Sequence, residues 1–437
     1  MLFYFSPEFY LSCILSMTAS GLAFAEDQNL EPMVVSALRL ETASKNLPAR
    51  IQVIDETDIE KSGTTDLVGL LRKEANLQVR STSGNSARST VSMGGFGEGG
   101  QLRTLVLLDG HRLNAIDMSA INWYSIPLAL VESIEVIRGG QSGTYGNHAV
   151  GGIIKINTKL PKIEPTVSLE ASAGSFDTSN LRGAYSQRVG EIGLTIFGDR
   201  VESEGYRVNG DHLTEAGGLR LDWGGESDLR GYLSWGVSDT DFGLPGDLNA
   251  SALAINRRQT TAPNDRGGER SAHGRAGLSY DIDDQWRFES RLGYHDREVS
   301  VYMPSVPFGG YLADTNYETF SYSPVLHYDS NAVVWLFGLD ISKDHLNAKT
   351  NYGDSEYERK ALAYFTSTGI PLSKDWSLNG NFRLERSENS GTYSGTNLNE
   401  VNQDEWAGAL GLLREFSAEN RIYGTIRQFY RYPSTDE

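Results

Sequence analysis

The sequence predicts an all-β membrane protein, a transmembrane antiparallel β-barrel preceded by a compact α+β domain. After about residue 162, apolar and polar residues alternate with a period of two, which is typical of strands with one apolar and one polar face. The connections between these predicted strands alternate between short and long, as in outer-membrane barrels. No stretch of the mature chain reaches the roughly 18 apolar residues of a membrane-spanning helix. A membrane location therefore requires strands, because a closed barrel is the other structure that satisfies its backbone in lipid.

Residues 1–25 are predicted to be a secretory signal peptide. Phe9–Ala25 is uncharged and mostly apolar, and it ends in Ala23-Phe24-Ala25 before an acidic residue. The first eight residues contain no Lys or Arg, so either the start or the signal is atypical. Cys13, the single cysteine, lies in this segment. The exported chain is thus expected to gain its stability from burial and strand pairing without disulfides.

Residues 45–160 are predicted to form a mixed domain. Pro48–Asp55 has the pattern of a short strand, and Asp58–Leu71 has helical spacing with Asp66 as an N-cap candidate. Arg103–Leu108 and Leu130–Ile137 are typical of further strands. Glycine-rich loops are expected between them, at 83–100 and 139–152.

Residues 161–437 are predicted to form barrel strands. In the segment around Trp235, Leu233 and Trp235 share one face, and Arg230 and Ser234 share the other. We expect about thirteen strands, beginning near residues 166, 179, 192, 217, 228, 272, 285, 318, 331, 358, 375, 405 and 420. Long connections are predicted at 203–216, 239–271, 300–317, 344–357 and 387–404, all on one side.

The polar strand faces carry Arg and Glu, which is too much charge for a dry sandwich core. A hydrated or filled barrel interior accommodates such residues, whereas tryptophans such as Trp335 and Trp376 suit the lipid-facing side. Thirteen is an odd number, and bacterial single-chain barrels have even numbers of strands. The sequence is therefore expected to be C-terminally truncated.

Composition and motifs exclude several classes of function. The formal net charge of −18 argues against binding to a nucleic-acid backbone, which requires basic surfaces. HExxH, CxxC and GxSxG motifs are absent, and the histidines have no metal-ligand spacing. We therefore predict that the protein is not an enzyme.

The segment Leu105–Lys159 resembles the plug domain of TonB-dependent outer-membrane receptors. The similarity lies in Val106–Gly110, Ile126–Gly139, Tyr145-Gly146 and Ala149–Lys159. It implies a barrel of about 22 strands in the bacterial outer membrane with the plug in its lumen, of which roughly 13 strands are present. It also implies a monomer that contacts lipid and takes up a scarce metal chelate actively, either cobalamin or a ferric siderophore. The alternative is a passive pore or surface barrel without energy coupling.

The segment 26–44 is predicted to be periplasmic and to carry the coupling sequence. It resembles the TonB box, which such receptors offer to a TonB-type energy-coupling protein. The box comprises Glu31, Pro32, Met33, Val34, Val35, Ser36 and Ala37. An extended apolar strand at a free end can pair with the edge of a partner's sheet.

The resemblance also implies structural positions in the plug. These are Asp109, Gly110, Arg138, Gly139, Tyr145, Gly146, Gly151 and Gly152. Plugs of the family are held partly by two Arg against barrel carboxylates. Gly94 stands where the family commonly has the first of these, so only Arg138 remains here.

Substrate and calcium contacts are predicted on the outward side. Loops 83–100 and 114–123 supply the substrate candidates Phe96, Glu98, Asn114 and Trp123, and the adjoining Tyr124 is a fifth. Asp239, Asp241 and Asp247 fall within nine residues and could bind Ca²⁺ through oxygen ligands. A solvated acidic loop is the alternative, and no cofactor is required.

Overall fold

The computed structural model describes residues 39, 48–81, 86–330, 332–417 and 420–437, apart from the side chain of Glu98. The predicted signal peptide and the predicted TonB box, Glu31–Ala37, lie outside these residues. No helix in the described ranges is long and apolar enough to cross a membrane.

The N-terminal domain is built on a five-stranded sheet with the order β1-β6-β7-β4-β5. Its pairs are antiparallel except for β4 and β7, which are parallel. A separate two-stranded sheet pairs β2 with β3. The strands are β1 (Arg50–Ile54), β2 (Gln78–Arg80), β3 (Thr90–Ser92), β4 (Thr104–Leu108), β5 (His111–Arg112), β6 (Val131–Arg138) and β7 (Gly152–Thr158). The helices are α1 (Glu56–Ser62), α2 (Leu67–Glu74) and α3 (Ser142–Tyr145), with 3-10 turns at Gly97–Leu102, Trp123–Ser125 and Leu128–Leu130.

The predicted helix over 58–71 is two helices. Gly63 adopts a left-handed φ of 62° and ends α1. Asp66 then starts α2 as its N-cap, accepting a hydrogen bond from the Gly69 N–H at 2.7 Å. The apolar residues keep a helical spacing across the whole segment, so the pattern did not reveal that the helix ends at Gly63 and a second one begins after Asp66.

A large antiparallel sheet follows, which we call the wall. Thirteen strands pair in an unbroken path from β8 to β21, and the short β19 pairs beside β18. They are β8 (Thr166–Gly174), β9 (Thr178–Val189), β10 (Ile192–Ser203), β11 (His212–Trp223), β12 (Leu229–Gly243), β13 (Arg266–Asp281), β14 (Trp286–Met303), β15 (Tyr311–Asp329), β16 (Val334–Thr350), β17 (Gly353–Pro371), β18 (Trp376–Tyr393), β19 (Thr396–Asn397), β20 (Val401–Glu415) and β21 (Arg421–Gln428), with a short helix α4 (Ala250–Ile255) between β12 and β13. The predicted all-β fold with an N-terminal plug is confirmed.

The long connections are shorter than predicted, because the strands extend into them. Residues 351–352 alone join β16 to β17, and residues 304–310 join β14 to β15. Near the connection of β16 to β17 the outward residues are polar, among them Lys343, His345 and Glu358, so the two-residue alternation disappears while the hydrogen-bonded ladder continues. Only the connection 244–265, which contains α4, remains long.

The two faces of the wall differ as their alternation predicts. Trp235, Leu233 and Leu384 are half exposed on the outer face. On the inner face Val325, Leu336 and other wall residues are buried against the N-terminal domain. This shared core contains Ala49, Leu105, Leu107, Ile137, Tyr145, Ala149, Ile153, Val325, Leu336 and Phe365. The N-terminal domain is therefore packed as a plug on the inward face of the wall.

Candidate functional site at the interface of plug and wall

An ion-pair cluster joins the start of the plug to the wall. The Arg39 guanidinium donates to both carboxylate oxygens of Asp340, at 3.0 and 3.1 Å. Arg383 donates to the same carboxylate at 2.6 Å, and the Ser323 hydroxyl donates at 2.7 Å. The Arg39 guanidinium also lies 4.3 Å from the centre of the Phe365 ring. Arg39, two residues after the predicted box, is thus fixed to the barrel wall by charge and by stacking.

Glu385 extends this cluster towards the plug. Its carboxylate accepts from Arg383 Nε at 2.6 Å and from the Tyr430 hydroxyl at 2.6 Å. The backbone of Gly146 passes so close that an added Cβ would lie 2.7 Å from Glu385 Oε2. Gly146 also has a φ of 73°. The glycine of the Tyr145-Gly146 pair is therefore needed both for its backbone angle and for the close approach to the wall.

Arg138 does not reach a wall carboxylate. Its guanidinium donates to the Ala75 carbonyl inside the plug. Arg112 likewise turns inward, donating to the carbonyls of Asn147, at 2.8 Å, and Tyr145. Contacts with wall carboxylates are made instead by Arg39 and by Arg88, two residues that the sequence analysis did not select.

The Asp109-Gly110 turn connects β4 to β5 and faces the wall. Both residues have positive φ, 49° and 82°, as a tight two-residue hairpin requires. The Asp109 carboxylate accepts from the Thr158 N–H at 2.9 Å and from Arg220 of the wall at 3.4 Å. This turn lies near the end of the wall where the short turns occur, because Arg220 is close to the 224–228 turn.

Near the opposite end, the plug loops contact β12 to β14. Glu269 is buried and accepts from Arg88 of the plug at 2.8 Å and from Arg297 of the wall at 3.1 Å. Asn122 donates to the Thr240 hydroxyl at 2.9 Å. Polar pairs thus fasten the plug at both ends of the wall.

The five substrate candidates occupy different environments. Trp123 is buried in the plug core, and its indole N–H donates to the Ser89 carbonyl at 2.7 Å. Asn114 is also committed to the plug, since its amide bonds Val106, Gln101 and Thr104. The indole N–H of Trp123 and the side-chain amide of Asn114 are therefore already hydrogen-bonded within the plug.

Phe96 and Tyr124 are placed differently. Phe96 is 39% exposed beside the Arg103 guanidinium, 5.3 Å from the ring centre. Tyr124 stacks on His212 of the wall at 5.3 Å, and burial raises the pKa of its hydroxyl. The Glu98 side chain lies outside the described part. Substrate contact by these residues stays a prediction.

The three acidic calcium candidates do not converge in the described structure. Asp239 and Asp241 point outward from β12, and Asp239 forms an exposed ion pair with Arg270 at 3.1 Å. Asp247 lies beyond the strand, in the 244–265 connection. Among the described residues, no three His, Cys, Asp or Glu side chains form a group suited to a metal ion. Calcium binding in the loops stays a prediction.

The 244–265 connection is held by two polar side chains from the neighbouring 204–211 loop. Arg207 donates to the carbonyls of Gly246 at 2.5 Å, Pro245 at 3.1 Å and Gln259 at 2.9 Å. Asn209 donates to those of Leu244, Ala262 and Asp265, at 3.2, 2.6 and 2.8 Å. These two residues tie the loops into one ordered unit.

Comparisons with known proteins agree with this architecture. Residues 43–153 match the family model of the TonB-dependent Receptor Plug Domain. The chain is 32% identical over 184 residues to the vitamin B12 transporter BtuB of Vibrio cholerae serotype O1, a match that covers 42% of this chain and 30% of the transporter. The chain thus spans under a third of the length of the curated relatives it matches.

Solved structures share the fold. The ferric yersiniabactin uptake receptor FyuA from Yersinia pestis superposes with a TM-score of 0.73 at 18% identity, covering 88% of this chain and 66% of the receptor. The ferric citrate transporter FecA superposes with a TM-score of 0.75 at 17% identity, covering 87% and 62%. The alcaligin receptor FauA from Bordetella pertussis gives a TM-score of 0.73 at 14% identity, covering 91% and 65%.

The family match covers the plug, and the structural matches extend over the wall. At 14–18% identity, the structural matches concern the fold. Residues 43–153 therefore match the plug domain of TonB-dependent receptors, and the wall shares the fold of these receptor structures.

Proposed function

We propose that the chain acts in TonB-energised uptake of a metal chelate, cobalamin or a ferric siderophore. The observation that carries the proposal is the plug on the inward face of the wall, fixed by Arg39–Asp340 at one point and Arg88–Glu269 at another. A wide barrel leaks unless it is filled, so a transport path requires these contacts to rearrange.

The position of Arg39 suggests how force reaches the plug. The predicted box, Glu31–Ala37, precedes Arg39 by two residues, so a pull on the box would act first on the Arg39–Asp340 pair. Substrate bound at the opposite end would bias the plug towards the state in which that pair is open. A TonB-type protein that pairs with the box would then supply the work.

The relatives support both substrate classes. The curated relative is a vitamin B12 transporter, and one of the similar solved structures is that of a siderophore receptor. Loop chemistry does not separate the two, because aromatic and polar side chains suit both. The box and the plug do not separate them either, because both are expected in a cobalamin receptor and in a siderophore receptor.

Uptake measured in cells tests the proposal. The gene would be expressed in cells without their own receptors, and labelled cobalamin and a panel of ferric siderophores would be supplied with and without a protonophore. The Val34→Pro variant removes a backbone donor from the box and should abolish strand pairing with the partner. Gln28→Pro, which lies before the box, is the matched control.

Uptake of one ligand that is lost with the protonophore and in Val34→Pro, but kept in Gln28→Pro, would establish energised transport and name the substrate. Uptake that is indifferent to both treatments would show a passive pore instead.

A further inference from the structure

An open groove of about 420 Å³ lies on the outer face of the wall, across strands β14 to β18. This volume is within the roughly 300–1,000 Å³ of small-molecule sites. Its lining is apolar and aromatic, and includes Pro324, Phe337, Leu339, Tyr364, Thr366 and Phe382. No charged residue in the described part of the chain lines it. A groove with this lining favours a hydrocarbon ligand.

The groove arises where a short side chain lies between long ones. In one row across the sheet, Thr366 is paired with Phe337 on one side and with Phe382 on the other. The two phenylalanines are 44% and 42% exposed, so their rings stand out from the wall. The Thr366 hydroxyl accepts from the Trp335 indole N–H at 2.7 Å and donates to the Leu336 carbonyl at 2.9 Å. The hydroxyl between the two rings is therefore already hydrogen-bonded within the wall.

A gap in the strand pairing lies beside the groove. Within the described wall, the pairing of β15 with β16 is interrupted at residues 323–324. Pro324 has no N–H to donate to the ladder. On the inner face of the same gap, Ser323 and Asp340 bind the Arg39 guanidinium. The groove therefore lies outside the wall segment that holds Arg39 on the inside.

The groove is midway up the apolar band of the wall. Trp335 is paired with Tyr328 in the aromatic row at one end of the band, and polar outward residues of β16 begin at Lys343. The eight steps from Trp335 to Lys343 span roughly 27 Å along the strand. Strand tilt reduces this to about 20 Å of height, close to the ~25 Å apolar band of membrane barrels. Phe337 and Leu339 follow Trp335 by two and four residues, so the groove faces hydrocarbon on both sides.

We propose that this groove binds a lipid acyl chain. It is continuous with the apolar outward band, and its uncharged lining has no group that would hold a lipid headgroup. A chain lying between the rings gains dispersion contacts that a flat sheet face does not offer. The proposal rests on the membrane placement that the proposed function requires. The bound chain covers, from the outside, the gap at Pro324 behind which Arg39 is attached.

Photochemical labelling tests the site in the purified full chain, reconstituted in vesicles of phosphatidylethanolamine and phosphatidylglycerol. The probe is a phosphatidylglycerol with a diazirine at the middle of its palmitoyl chain, and labelled peptides are identified by mass spectrometry. We expect labelling of β15 to β18 to exceed that of β11 and β12 several-fold. Strands β11 and β12 are the internal comparison, because their outward leucines are exposed but lie outside the groove.

Leu339→Trp should fill the groove and remove the excess labelling of β15 to β18. Leu233→Trp is the matched control, since Leu233 is an outward leucine of β12 that does not line the groove. The excess should persist in that variant. If Leu339→Trp folds poorly, the comparison of strands in the unaltered chain still decides.

Equal labelling of the two sets of strands, or an excess that Leu339→Trp retains, would overturn the acyl-chain site and leave the proposed uptake untouched. A dimer in detergent that Leu339→Trp dissociates would show that a second copy covers the groove, and would also overturn it. Labelling that is absent from the outward face of every strand would refute the membrane placement itself, and with it both proposals.

Discussion

At the scale of single residues, the contacts between plug and wall depend on glycines as well as on charged side chains, because a glycine lets the plug backbone approach the wall closely. Gly146 and Gly110 bring plug backbone against Arg383, Glu385 and Arg291 of the wall. The sequence showed these glycines as part of a family pattern. It did not show what each one approaches, because that depends on residues more than a hundred positions away.

Gly146→Ala should destabilise the fold. At φ 73° and ψ −141°, a conformation that favours glycine, alanine is strained by about 1–3 kcal/mol, and the close approach to Glu385 and Arg383 should bring the total cost to about 2–4 kcal/mol. Chemical denaturation in detergent would measure it. Gly190→Ala is the control, since Gly190 has a φ of 59° and no atom within 4 Å of an added Cβ. Equal losses in the two variants would contradict the packing explanation.

At the scale of elements, the sequence predicted the wall strands well because each has an apolar outward face. On β16 that face comprises Trp335, Phe337, Leu339 and Ile341. Beyond Ile341 the outward residues are Lys343 and His345, and periodicity no longer marks a strand. The ladder continues there through backbone pairing to β17, which leaves little trace in one sequence.

Leu339→Arg tests whether the apolar part of this face lies in lipid. A cation near the bilayer midplane should cost about 2–4 kcal/mol, whereas near the interface the cost falls to about 0–1 kcal/mol. Asn347→Arg is the control, on the same face of β16 but in its polar part. Unfolding from lipid vesicles would compare the two variants. Similar stabilities would contradict the assignment of the lipid-facing belt.

The site was predicted less completely than the fold. Asp109, Gly110 and Gly146 do lie at the interface, whereas Asn114 and Trp123 have their polar groups bound within the plug. Arg39, Asp340 and Glu269 were not selected, because an ion pair joining positions about 180 to 300 apart has no local signal. Arg39 could have been noticed as a cation that closely follows the predicted box.

At the scale of the whole molecule, the plug is held by a few buried ion pairs as well as by its shared core with the wall. Asp340 serves both Arg39 and Arg383. Removing its charge leaves two largely buried guanidinium groups with one partner fewer.

Asp340→Asn should cost about 3 kcal/mol in unfolding free energy. It should also speed tryptic cleavage after Arg39, because the side chain is then no longer fixed to the wall. Asp239→Asn is the matched control, since its pair with Arg270 is exposed and worth about 0–1 kcal/mol. If cleavage after Arg39 is as slow in Asp340→Asn as in the unaltered chain, this pair does not hold the plug's leading segment.

The clamp of Arg207 and Asn209 on the 244–265 connection has a consequence for recognition. A loop of this length would ordinarily lose conformational entropy when a ligand orders it, and affinity would fall accordingly. Here six backbone carbonyls are already bound by two neighbouring side chains. A molecule that bound this loop would therefore meet a preorganised surface. Selectivity would come from how well the ligand fits that fixed shape, and the loop would change its conformation little on binding.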